Sequence, residues 1–171
     1  MDPVDDIKSV LNLLSHPKEG GYYVETYRSD EHIPTVALPG RFDGQRPLAT
    51  AIYYLLTPDT FSAMHRLLAD EIFHFYLGDP VEMLQLLPDG AGRVITLGPE
   101  ILKGMTPQVI VPRGVWQGAR LCPGGRFALL GTTVSPGFEF ADYDSGHRDT
   151  LVESYPDFRD LIVALTPAHH P

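Results

Sequence analysis

The sequence predicts a mainly β protein, an antiparallel sandwich or barrel with short helices at both ends. Two observations carry this. From Leu48 to Val134 the chain is a succession of short β-branched, aromatic and aliphatic runs, each closed by Gly or Pro. That is the rhythm of strands and tight turns. Outside that region, at both ends, apolar residues recur at helical spacing instead. The 16 Gly and 16 Pro fall largely between the runs. With 171 residues, the expectation is a single domain, 1–171, with one core.

Asp2-Pro3 reads as an N-cap followed by Pro at the first helical position, and Asp5 and Asp6 in the first turn favour the helix dipole. Ile7, Val10, Leu11 and Leu14 then form one apolar stripe, and His16-Pro17 ends the helix. Gly20-Gly21 allows a tight turn or a close approach of backbone, and the aromatic run from Tyr22 to Arg28 reads as a strand. Residues 30–47, with three Pro and two Gly, predict a long loop, either a lid or a solvated excursion. Strands follow at 48–57, 61–67, 71–77, 81–87, 93–97, 108–111, 115–121 and 126–134. A turn and a short final strand are expected at 135–140, and a helical turn at 147–154. Pro156 opens a helix with Phe158, Leu161, Ile162 and Leu165 on one face, ended by Thr166-Pro167. No repeat suggests a propeller or solenoid.

Composition narrows the partners. A formal charge of −9 with no Lys/Arg cluster argues against nucleic acid, whose phosphates need a basic face. Cys122 is the only cysteine, so neither an internal disulfide nor a thiolate zinc site can form. The acidic start Met1-Asp-Pro-Val-Asp-Asp is unlike a secretory signal, and no apolar run has the roughly 20 residues of a membrane span. A cytoplasmic location is expected.

Ser62, His65, Arg66, Asp70, Glu71 and His74 crowd into two otherwise apolar runs. Buried ionisable groups are costly unless paired or used, so this is the first place to look for a site. Strand alternation puts Phe61, Ala63, His65 and Leu67 on one face, with Ser62, Met64 and Arg66 on the other. In the next run Glu71, Phe73, Phe75 and Leu77 share a face opposite to Ile72, His74 and Tyr76. Paired as a hairpin, the two runs would set His65 across from Glu71 inside, with His74 facing away unless a bulge shifts the register.

These residues resemble the cupins, small jelly-roll barrels. Glu71 followed by Gly78 matches the tail of the first cupin motif, and His65 takes the place of its first histidine. Pro112-Arg113-Gly114-Val115-Trp116-Gln117 resembles the second motif, Pro-x-Gly-x-x-His. The chain further resembles one cupin branch long described as a domain of unknown function. The likeness runs through Glu19-Gly20-Gly21-Tyr22, His65-Arg66, Asp70-Glu71-x-x-His74-Phe75-x-x-Gly78, Trp116-Gln117-Gly118 and Val134-x-Pro136-Gly137-Phe138. It implies a double-stranded β-helix barrel with short flanking helices and a small-molecule pocket inside. Cupins of this type are commonly dimers, and strands apolar on both faces, such as 51–56 and 72–77, fit a homodimer.

Metal-binding cupins use two His and one Glu of the first motif and one His of the second. Here the second and fourth of these positions hold Leu67 and Gln117. No cofactor is firmly predicted; a weakly held divalent metal would rest on His65, Glu71 and Gln117. Without metal, Glu71 beside His65 would orient the imidazole and raise its pKa for proton transfer. The resemblance to the metal-independent sugar-nucleotide 3,5-epimerases implies an epimerase or isomerase acting on a carbohydrate-like compound, with His65 as base and Glu71 orienting it. Gln117, His74, Phe73, Phe75, Tyr22 and Arg66 are the expected substrate contacts. The alternatives are a non-catalytic ligand-binding or sensing cupin and a metalloenzyme with a reduced ligand set. Plainer roles stand beside these: His74 at a subunit contact, Arg66 and Asp70 as a surface pair, Trp116 outward against a helix. Glu19, Tyr22, Glu25 and Arg28 are expected either at the barrel mouth or capping a sheet edge.

Overall fold

The computed structural model describes residues 3–167. An N-terminal helix, α1 (Pro3–Leu11), leads into β1 (Leu14–Ser15) and β2 (Tyr22–Arg28). A small β3 (His32–Ile33) and β4 (Arg46–Pro47) pair follows, then β5 (Thr50–Leu56), β6 (Phe61–Arg66), β7 (Asp70–Gly78), β8 (Val81–Leu86) and β9 (Gly92–Leu97). The series continues with β10 (Gln108–Val111), β11 (Trp116–Leu121), β12 (Ala128–Ser135) and β13 (Asp144–Ser145), and closes with α2 (Arg148–Ser154) and α3 (Arg159–Ala164). Two antiparallel sheets face one another. One runs β1-β2-β5-β12-β7-β10 and the other β13-β6-β11-β8-β9. From β5 to β8, and again from β10 to β12, the chain crosses between sheets at each step, which is the jelly-roll connection.

Burial follows from alternation. Inward residues of both sheets, among them Leu56, Phe73, Met83, Leu97, Val109, Ala119 and Leu130, form the main core. The outward side of the five-stranded sheet gives Met64, Leu84 and Leu86 to α2 and α3, which cover it with Leu151, Ile162 and Leu165. Each such aliphatic side chain contributes about 1.5–3 kcal/mol on leaving water. On the other sheet α1 packs Val4, with Ile7 and Leu11, on Leu55 and Leu129.

Several expectations need correction. The first helix stops at Leu11, because Asn12 turns left-handed at φ 55°. Leu13 is then buried, while Val10 and Leu14 point to solvent, so the stripe runs through Val4, Ile7 and Leu11. The Asp2 cap lies outside the described residues. Strands β6 and β7 do not form a hairpin: they belong to opposite sheets, joined by a corner in which Leu67 and Ala69 are buried against Phe42 and Val134. Residues 30–47 are a mostly exposed excursion that is pinned near its end. They seat Phe42 on that corner and bury Arg46, whose guanidinium is clamped by Asp142 at 2.6 and 2.8 Å. No final strand forms at 135–140; Gly137 instead donates to Pro47 O at 2.7 Å, so close that a Cβ there would collide with the Pro47 ring. The last helix starts later than predicted, after a 3-10 turn at Pro156–Phe158.

Candidate functional site

The inward row of the larger sheet changes character along its strands. Paired across register, β5 reads Leu56, Tyr54, Ile52, Thr50 and β12 reads Ala128, Leu130, Thr132, Val134. On β7 the row runs Phe75, Phe73, Glu71. At one end these side chains fill the barrel; at the other they leave a cavity of about 220 Å³. Tyr23, Glu25 and Arg28 of β2 line it, with Thr50, Ile52, Glu71, Thr132, Val134 and, from β6, His65. His16 and Glu19 close one side, and Phe138, Phe140 and Tyr143 another.

Two local features bring polar groups here. In β6 the register with β11 slips between the pairs Gln117–His65 and Ala119–Ser62. The resulting bulge turns Ser62 to the same side as His65, against simple alternation. Gly20 and Gly21 both have positive φ, and a Cβ on Gly20 would strike the Phe61 carbonyl. Only glycine permits that approach. It lays Glu19 beside β6, where its carboxylate accepts a short hydrogen bond from the Ser62 hydroxyl.

His65 is 1% exposed, and its Nδ1–H donates to the Ala63 carbonyl at 2.7 Å. That bond leaves Nε2 as the unprotonated, basic nitrogen. Burial lowers the His65 pKa, opposed by the charge of Glu71 and by the bond to Ala63, so the neutral form is favoured. Tyr143 stacks on its ring at 4.7 Å. His16 has the reverse arrangement. Its Nδ1 accepts from the backbone N–H of Glu19 at 2.8 Å, which puts the proton of the neutral ring on Nε2. Burial lowers its pKa too, against the pull of Glu19. The two Nε2 atoms face one carboxylate oxygen, Glu19 Oε2, at 3.8 Å from His65 and 3.9 Å from His16. Glu19 thus lies between a proton acceptor and a proton donor, and its own burial raises its pKa toward the acid form.

Glu71 lies buried on β7 and accepts a 2.7 Å hydrogen bond from Gln117 Nε2 on β11. Burial raises its pKa first, and the charge of Glu19 raises it further. Gln117 Oε1 has no hydrogen-bond partner among the described residues. This geometry bears on the metal that the cupin likeness implies. Of the four ligand positions, Leu67 packs into an apolar corner and Gln117 turns an amide nitrogen, not an oxygen, toward Glu71. Among the described residues no group of three or more His, Cys, Asp or Glu side chains is arranged to hold a metal ion. The donors present do not fit the four-ligand set.

His65 and Glu71 both line the cavity, as sequence alternation anticipates, but from opposite sheets, and the carboxylate at His65 Nε2 is that of Glu19. The other expected substrate contacts lie elsewhere. Phe73 is packed in the core, with Phe75 against it, deeper along the barrel than the cavity. Tyr22 points outward onto α1 with Lys8 over its ring. Arg66 is exposed, bonded to Asp144 at 2.7 Å and laid over Trp116. His74 sits on the outer face beside Thr133 and Gln108. Gln117 is buried and reaches the site only through Glu71. Conversely, His16, Tyr23, Phe138, Phe140 and Tyr143 line the cavity without having been singled out for it. The one available signal was the pair of glycines, which marks a close backbone approach next to His16 and Glu19.

Residues 5–145 match the family described as Cupin superfamily (DUF985). An uncharacterized protein of Saccharomyces cerevisiae, YML079W, is 29% identical over 153 residues, 83% of this chain and 76% of its own. Protein SO0799 from Shewanella oneidensis is similar in structure, with a TM-score of 0.84 and 33% identity over 96% of this chain and 98% of that one. A hypothetical protein from Leishmania major also has a TM-score of 0.84, at 29% identity over 95% and 97% of the two chains. Oxalate decarboxylase of Bacillus subtilis is similar in fold alone, with a TM-score of 0.54 and 12% identity over 93% of this chain and 38% of its own.

Proposed function

Since the chain belongs to the DUF985 branch of the cupin superfamily, we propose that its polar cavity binds a small carbohydrate-like compound and moves a proton on it, as an epimerase or isomerase. The observation that carries this reading is the His65 imidazole, buried at the wall of the cavity with Nδ1–H bonded to Ala63 and its lone pair at Nε2 beside the Glu19 carboxyl. A neutral imidazole of that kind is a general base near neutral pH. Nε2 takes the proton from the carbon next to a carbonyl, and the electron pair of the broken C–H bond becomes a C=C bond as the carbonyl oxygen gains charge. Glu19, which burial biases toward its acid form, donates its proton to that oxygen. His16 Nε2–H supports the resulting carboxylate. For the epimer, solvent delivers a proton to the other face of the same carbon, the enol O–H proton returns to Glu19 as the carbonyl re-forms, and His65 releases its proton to solvent. For the isomer, where that carbon bears a hydroxyl, His65 returns its proton to the former carbonyl carbon and the hydroxyl proton passes to Glu19 as the new carbonyl forms.

The test is deuterium wash-in. A six-carbon aldose or ketose is incubated with the protein in D2O and followed by NMR. Exchange at the carbon next to the carbonyl, abolished by His65→Ala in a variant that keeps its circular dichroism and melting transition, is the expected result. Undiminished exchange in that variant, or none in the wild type across such sugars, overturns the proposal.

A further inference from the structure

The charged groups around the cavity define the ligand more closely, on the premise that the proposed site is the binding site. Four carboxyl groups line it: Glu19 and Glu71 at depth, Glu25 and Glu139 at the mouth. Among the described residues Arg28 is the only Lys or Arg on the wall, and its charge is already paired with two carboxylates. It donates to Glu25 at 2.9 and 3.0 Å, to Glu139 at 2.7 Å and to the Phe138 carbonyl at 3.1 Å. Lys18 stays outside, 5.6 Å above the Phe140 ring and 5.7 Å above the Tyr143 ring, and is not part of the lining. A phosphate or carboxylate inside would meet acidic side chains with no free cation to pair with.

Size and wall chemistry point the same way. A cavity of about 220 Å³ is smaller than the roughly 300–1,000 Å³ of pockets that enclose drug-sized ligands. It suits one ring, and a nucleotide joined to that ring would have to set its phosphates at the mouth, against Glu25 and Glu139. The aromatic side chains of Tyr23, Phe140 and Tyr143 supply apolar wall, while Glu, Thr and His side chains supply acceptors and donors for hydroxyls. We infer that the ligand is an uncharged, single-ring polyhydroxylated compound, a free sugar or its lactone, and not a phosphorylated or nucleotide-linked sugar.

The experiment is ligand-observed NMR titration with pairs of probes: six-carbon aldoses, ketoses and 1,5-lactones, each beside its 6-phosphate, with UDP-glucose as the nucleotide member. At least one uncharged probe is expected to bind, and its 6-phosphate about tenfold or more weakly, because the added charge meets an acidic wall whose one cation is already paired with Glu25 and Glu139. The double variant Glu25→Gln/Glu139→Gln frees Arg28 at a partly exposed position where lost ion pairs cost little stability. In it the 6-phosphate should bind at least as well as its parent sugar. Equal or tighter binding of a phosphorylated or nucleotide sugar to the wild type overturns the inference. So does the absence of binding by every uncharged probe, or a double variant that still rejects the phosphate. Because this reads binding and not exchange, binding of an uncharged sugar without deuterium wash-in would refute the proton-transfer reading and leave this one standing.

Discussion

The two ends of the barrel are built on the same strands and do opposite things. At the filled end the inward row is Leu56, Leu130, Ala128 and Phe73, with almost no exposure and no charge. From Thr132, the direct partner of Phe73, the row turns polar, with Thr50 and Glu71 next along the strands, joined by His65, His16 and Glu19 around the cavity. The filled end is organised by close packing, where any lost methylene is felt. The cavity end buries two carboxyls and two imidazoles, which is unfavourable for folding unless a ligand or a proton network makes use of them. The barrel therefore separates stability from chemistry along its axis, and that separation can be tested from both sides.

The largest effect is expected at the filled end. Phe73→Ala should cost about 3–5 kcal/mol in urea denaturation, as for other buried aromatic truncations. A cost near zero would mean that the apolar end is not what holds the sheets together. The pin behind the cavity wall comes next. Arg46 and Asp142 are each 4% exposed at the side chain and paired at 2.6 Å. Removing Asp142 leaves the buried Arg46 guanidinium with only the exposed Asp43 carboxylate and two backbone carbonyls as partners, so Asp142→Ala should cost about 3 kcal/mol. A loss below about 1 kcal/mol would show that water reaches the pair.

At the cavity end, Glu71→Gln should go the other way. The Glu71 pKa is raised in the folded chain, so the unfolded chain releases this proton first as pH rises. The contribution is therefore favourable below the usual carboxylate range and lost as pH climbs through the raised folded value. Wild type minus Glu71→Gln stability should fall with pH across that window; a flat difference would break the assignment of Glu71 as a strained carboxyl. Subtler still is the histidine pair. Nitrogen-15 NMR should find His65 protonated at Nδ1 and His16 at Nε2, and Glu19→Gln should lower the His16 pKa further, since the Glu19 charge holds it up. One shared tautomer would dismantle the arrangement around Glu19. Smallest of all, Arg66→Ala should change stability by no more than about 1 kcal/mol, its partner Asp144 being exposed.

Strand existence was legible throughout, because Gly and Pro bracket nearly every run, and the eight expected strands from 48 to 134 map onto β5 to β12. Which sheet each joins was not. A period of two tells inside from outside but carries no label for the partner, so β6 and β7 read as a hairpin although Leu67 and Ala69 carry the chain across the sandwich. The same limit explains Phe73 and Phe75. They share the inward face with Glu71, but alternation is silent on depth along the barrel, and depth decides between core and cavity. Ser62 escaped because the bulge opposite Gly118 reverses its side. Glu19 and His16 lie on a turn whose direction depends on two positive-φ glycines, and Tyr143 arrives from a segment that has no strand pattern at all.

The Arg46–Asp142 clamp joins positions 96 residues apart in the chain. Closing so long a loop is entropically slow and gains nothing until both ends are in place. The wall carrying Phe138, Phe140 and Tyr143 is thus expected to dock late, after the two sheets have condensed. Asp142→Ala should then accelerate unfolding while leaving the refolding rate nearly unchanged, as measured by stopped-flow chevrons. Comparable slowing of refolding would place the clamp in the folding nucleus instead. In the expected order, the barrel exists for a time as an open cup, and the cavity is the last part of the molecule to come into being.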